Sequence, residues 1–160
     1  MLNSTNLSPH FSVAEACFSD IADRLGIDNS NPSNAVIFSA LQTAHHMEHI
    51  RSLLGAPIRI TSWIRCLKLN RVLESKDTSQ HIKGEAVDFT CKNFGSAKEI
   101  AIYLLRYKEE INYDQLILEH SWVHIAWNNL PNSIQRKQTL SLLASKSYAS
   151  GLTDKHGKAL

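Results

Sequence analysis

The 160-residue sequence has no stretch approaching the roughly 18 consecutive apolar residues that a membrane-spanning helix requires. Its opening residues, MLNSTNLSPHFSVAEACFSD, lack a basic segment followed by an apolar one, so no export signal is expected. No run of five or six basic residues occurs, and 17 Lys and Arg against 15 Asp and Glu leave a net charge of only +2, which argues against a protein that tracks phosphates. Cys17, Cys66 and Cys91 are an odd number without a C-x-x-C pair, which fits a reduced compartment better than a disulfide framework. All three read as small core or near-surface residues; Cys91 alone lies near enough the motif described below to be a thiolate ligand instead. Internal repeats and low-complexity tracts are also missing. A soluble chain, cytoplasmic when made and partnered with neither membrane nor nucleic acid, is the expectation.

What is present suits one domain, because 43% hydrophobic composition over this length can bury a single sizeable core. Ser12 with Glu15 forms a capping-box pattern and opens a short amphipathic helix to about Leu25, ended by Gly26. Asn31-Pro32 then opens a longer helix, with Pro32 at its first position. Val36, Ile37, Ala40, Leu41, Ala44, Met47, Ile50 and Leu54 recur there at helical spacing up to Gly55. PIRITSW alternates as a strand, RCLKLNRVLESKDT reads as a loop with a short helix, and EAVDFTC as a further strand. SAKEIAIYLLRYKEE is a second amphipathic helix, and YDQLILE and SWVHIAW are two close strands that pair as a hairpin or as antiparallel neighbours. From about Leu130 the pattern offers one weak helix at most, then a weakly structured tail over about 150–160. Helices around a small central antiparallel sheet make an α+β domain, 1–160, with its core over about 7–128.

Two strands carry ionisable residues where apolar ones belong. Period-two alternation puts Ala86, Asp88 and Thr90 on one face of the first, and Trp122, His124 and Ala126 on one face of the other. A carboxylate among Ala, Val and Phe is protonated, paired with a cation such as Arg65, or bound to a metal, because an unpaired buried charge costs several kcal/mol. If the strands are neighbours, Asp88 faces His124. Gly84 lets the chain turn sharply enough to bring His81 over the same carboxylate. Two His and one Asp with a fourth position open form a ligand set that zinc accepts at catalytic sites. Taken alone, a strand histidine is more often a satisfied core or surface residue. The conjunction of H-x-x-G-x-A-x-D with a downstream E-x4-H is what raises the metal reading.

With LSPHFSVAEAC, IRSLLGAPIRITSWIRCLKLNR, SQHIKGEAVDFT and DQLILEHSWVHIAW in this order, the chain resembles the zinc D-alanyl-D-alanine carboxypeptidase family, peptidase family M15, especially its short phage and prophage members, over roughly residues 7–128. The resemblance implies the compact α+β zinc-peptidase fold, of hedgehog-like type, with one Zn2+ per chain on His81, Asp88 and His124. It implies Glu119 as general base and Arg65 as the electrophilic residue, stabilising an oxyanion or clamping a substrate carboxylate. Ser79 and Trp122 would border the substrate. Many family members carry the catalytic carboxylate three residues before the last ligand, where this chain has Ser121; Glu119 lies five before it, and His120 is the alternative base.

The implied activity is hydrolysis of peptidoglycan stem peptides, by a lysin-type endopeptidase or a carboxypeptidase, at the cell wall after release or as part of a phage particle. A zinc-bearing binding or structural module of a phage particle is the alternative, and a zinc-free binder of nucleic acid or small molecules the least favoured. HHMEH, His45 to His49, formally matches the inverted H-x-x-E-H zinc helix. Its helical wheel turns His45 and His49 to the solvated side. Trp63, Trp122 and Trp127 read as core or cleft-wall aromatics, Trp122 sharing a face with His124.

Overall fold

The computed structural model describes residues 6–160. Helices precede and interrupt a six-stranded sheet, which makes the α+β architecture. Ser12 caps α1 (Val13–Cys17) by accepting from the Glu15 amide, and Ser19 caps α2 (Asp20–Leu25), which Gly26 ends in the left-handed conformation. The single helix expected to Leu25 is thus broken at Phe18, since Ser19 offers a competing cap. The long helix α3 (Asn34–Leu54) starts two residues later than expected: Ser33 is its cap and Pro32 lies outside it. Gly55 ends it.

The buried stripe of α3 is Ala40, Thr43, Ala44, Met47, Ile50 and Leu54. Leu41, expected in that stripe, is exposed, and polar Thr43 replaces it by donating its hydroxyl to the Gly84 carbonyl at 2.9 Å. This bond fastens α3 to the loop that carries His81.

The strands are β1 (Arg59–Ser62), β2 (Ala86–Thr90), β3 (Gln115–Leu118), β4 (Val123–Ala126), β5 (Gln138–Leu142) and β6 (Tyr148–Ser150), in the spatial order β1-β2-β4-β3-β5-β6. All neighbouring pairs are antiparallel except β3 and β5. Between the strands lie α4 (Leu67–Val72), a 3₁₀ turn (Gln80–Lys83), α5 (Ala97–Arg106) and α6 (Lys108–Ile111). Ser96 and Glu99 form a full capping box on α5.

One face of the sheet supplies Val87, Phe89, Leu116, Leu118, Val123 and Ile125, all buried, to a core shared with α3 and α5. Burying such side chains is worth about 1.5–3 kcal/mol each. The opposite face, with Asp88, His124, Ile117 and Leu140, borders a cleft.

The C-terminal segment departs furthest from expectation. In place of one weak helix it forms β5 and β6, and residues 151–160 fold back in turns and bends with one isolated bridge. Thr153 bridges to Ala159, and the Leu160 amide donates to Leu152. The buried hydrophobic core itself ends at Trp127, with Leu152 packed partly buried against it. Both strands are short and β6 reads YAS, so neither carries an alternation long enough to register in the sequence.

Candidate metal centre

β2 and β4 pair so that Asp88 stands directly opposite His124. His81 arrives from the 3₁₀ turn, which Gly84 ends with φ +74°. A Cβ at Gly84 would meet the Val36 carbonyl at 2.9 Å, so both the backbone conformation and the approach to α3 demand glycine. The Gly84 carbonyl accepts from the Trp63 indole at 3.0 Å as well as from Thr43. The turn is therefore pinned from two sides before its histidine is placed.

His81 is held through Nδ1. Nδ1 lies 2.7 Å from the Trp63 carbonyl, which can only accept, so Nδ1 carries the proton and Nε2 presents its lone pair. Nε2 is 3.3 Å from Asp88 Oδ1, and His124 Nδ1 is 2.8 Å from the same oxygen. The other carboxylate oxygen accepts from Arg65 Nη2 at 2.8 Å, while Arg65 Nε donates to Ser62 Oγ at 2.8 Å. The two imidazoles meet edge to face with centroids 5.1 Å apart. One donor atom from each of His81, Asp88 and His124 lies within 4.8 Å of the others, the only such His, Cys, Asp or Glu cluster among the described residues.

The electrostatics suit metal ligation. Burial works against the Asp88 charge, but His81 and His124 outweigh it and hold the carboxyl well below the usual carboxylate range. Burial is also the main cause of the lowered His81 pKa, and Arg65 and His124 add to it against the pull of Asp88. Around neutral pH the group is thus an ionised carboxylate beside a neutral, oriented imidazole, the protonation states that a metal requires. His81 and Asp88 are buried and His124 half-buried, so the cluster faces the cleft from a largely dry floor.

Glu119, just past the end of β3, is buried and lines the same cleft. Its amide donates to the Trp122 carbonyl at 3.1 Å, closing the turn between β3 and β4. Burial, then the Asp88 charge, raises its pKa, opposed by His124, Tyr148 and His120. Adjacent His120 is exposed and does not border the cleft. Arg65, Ser79 and Trp122 do border it, Ser79 also capping the 3₁₀ turn. Cys91 belongs to the core on the other side of the sheet, its thiol 3.4 Å from the Pro57 carbonyl. Trp63 and Trp127 are fully buried.

Sequence reasoning missed Tyr148. It comes from β6, inside the segment expected to hold one weak helix at most, and its hydroxyl donates to Glu119 Oε1 at 3.4 Å. No sequence signal connects it to the site, because register through the intervening strand β5 is what brings it to Glu119 at the end of β3.

The cleft, about 810 Å³, is bordered on one side by the triad, Arg65 and Ser79 and on the other by β5 and β6. No helix among the described residues is long and apolar enough to cross a membrane. No curated protein matches the chain. The family model for peptidase M15 matches residues 9–126, a span that holds His81, Asp88, Glu119 and His124. A match over most of the chain, joined to this fold, means that the chain belongs to the peptidase M15 family.

Proposed function

We propose that the chain is a zinc-dependent peptidase that hydrolyses peptide bonds in bacterial peptidoglycan stem peptides, with His81, Asp88 and His124 holding one zinc. The observation that carries this reading is the convergence of two histidines on one buried carboxylate, in a cleft that Glu119 and Arg65 also enter. The donor set suits the ion: neutral imidazole and carboxylate are ordinary zinc ligands, and the Trp63 carbonyl orients His81 as ligating histidines require.

Zinc bound there supplies Lewis acidity to the scissile carbonyl and makes water a better nucleophile near neutral pH. Glu119 takes the proton of the attacking water and later delivers it to the leaving amine. Its raised pKa brings the carboxyl nearer the range in which accepting and returning a proton are both practicable. Its place in the cleft favours it over His120. Arg65, anchored by Ser62 and Asp88, supplies a fixed positive charge to the developing oxyanion or to a substrate carboxylate. Trp122 and Ser79 line the walls between which the peptide lies.

The test is digestion of purified peptidoglycan by zinc-loaded and by chelator-stripped protein, with released fragments identified by mass. Zinc-dependent release of a defined peptide fragment is expected. One tightly held zinc without cleavage of any wall preparation would favour a zinc-bearing binding or structural module instead.

A further inference from the structure

The strand register lays a row of residues across the cleft floor. Asp88 faces His124, His124 faces Ile117, and Ile117 faces Leu140. Neighbouring strands are about 4.8 Å apart, so Leu140 stands about 10 Å from His124, two strand spacings away. An extended peptide advances about 3.3 Å per residue, so about three residues span that distance. Leu142, in the next row, faces Tyr148 across the β5–β6 pair. Leu140 and Leu142 are half-buried and open onto the cleft. The alternate residues turn away from it: the Thr139 hydroxyl meets that of Tyr113 at 2.7 Å, and Ser141 Oγ donates to the Gly151 carbonyl at 3.0 Å.

The shelf itself is apolar; of the basic side chains on the cleft border, Arg65 and Arg136 are already paired with carboxylates, and Lys76 belongs to the 73–80 border rather than to β5. Arg136, which borders the cleft, already holds Asp114 with two nitrogens, Nε at 3.0 Å and Nη2 at 2.6 Å. A charged side chain laid on Ile117 and Leu140 would lose hydration without compensation. β5 and β6 also lie beyond the span, 9–126, that the family model matches. Leu140 and Leu142 thus lie outside that span, whereas Ile117 lies within it.

We infer that Ile117, Leu140 and Leu142 form a subsite for an uncharged aliphatic side chain, in a peptide that continues about three residues to one side of the scissile bond. The preferred substrate is then an extended or cross-linked stem peptide cut internally, rather than a dipeptide end. This inference rests on the peptidase reading above.

Two peptide series test it, each lengthened residue by residue on one side of the cleaved bond, with alanine, leucine or aspartate at the third position. With the zinc-loaded full-length chain, kcat/KM should rise about tenfold when one series gains an aliphatic third residue, and less for aspartate. Leu140→Asp and Leu142→Asp, checked for zinc content and thermal unfolding, should abolish that preference. Equal kcat/KM at every length, or a preference that survives both variants, would overturn the subsite. Calorimetric titration of the same peptides into Glu119→Gln separates the two readings. If no peptide is cleaved by the wild type, the peptidase reading fails, yet about tenfold tighter binding of the aliphatic extended peptides, lost in Glu119→Gln/Leu140→Asp, would still support the shelf. Equal affinities, or no binding of any peptide, would overturn it.

Discussion

Two histidine clusters lie on this molecule, and only one has the makings of a site. On α3, His45, His46 and His49 sit within one and a half turns beside Glu48, in the spacing of a zinc helix. Each is engaged elsewhere or faces solvent. His45 is exposed, His49 pairs with Glu110 at 3.0 Å, and Glu48 takes Ser8 and His10. His46 stacks on Trp127 with centroids 4.7 Å apart, and burial, with His45 and His49 adding, pushes its pKa down to about 4. His81 and His124 are 43 residues apart in the chain, yet share one oxygen of a buried carboxylate. Sequence proximity supplies donors to the first cluster. Strand register and a pinned glycine turn supply convergence to the second, and convergence is what a cation needs.

The largest effect should follow removal of the shared carboxylate. Asp88→Ala should eliminate both zinc and hydrolysis. It should also cost the metal-free protein about 3 kcal/mol, because Arg65, with only 12% of its side chain exposed, would lose its buried partner; chemical denaturation with a chelator present measures the loss. Glu119→Gln should keep zinc and fold while lowering kcat by about 10²–10⁴. If that variant keeps near wild-type turnover while His120→Ala does not, the base is His120.

Tyr148→Phe is a milder change. The hydroxyl stabilises the Glu119 carboxylate, so its loss raises the Glu119 pKa further. Since Glu119 must be ionised to accept a proton, the acid limb of the kcat/KM profile should move to higher pH. Turnover on that limb should fall about threefold, with the alkaline limb nearly unmoved. An unchanged acid limb would show that Tyr148 does not act on Glu119. The smallest effect belongs to the surface cluster: His45→Ala with His49→Ala should leave tight zinc binding unchanged, and loss of one zinc per chain would invert the contrast between the clusters.

The parts of the fold built on periodic patterns were legible in the sequence. Alternation in EAVDFTC and SWVHIAW put Asp88 and His124 on faces that pairing could oppose, and β2 and β4 do pair in that register. The helical stripe of α3 was legible except at Leu41, which is exposed, and Thr43, whose burial depends on a carbonyl 41 positions away. The C-terminal strands were not legible, because β5 pairs in parallel with a distant strand and β6 has three residues. For the same reason Tyr148 and the Leu140–Leu142 shelf could not be foreseen, while Arg65 and Glu119 could be named through the family resemblance and Trp122 through its strand face, and these with Ser79 border the cleft.

The most direct measurement counts tightly bound zinc per chain by elemental analysis in wild type, Asp88→Ala and the His45→Ala/His49→Ala double variant, after dialysis against a weak chelator. One, none and one are the numbers expected. Zinc retained by Asp88→Ala, or lost from the double variant, would contradict the assignment of the metal to His81, Asp88 and His124.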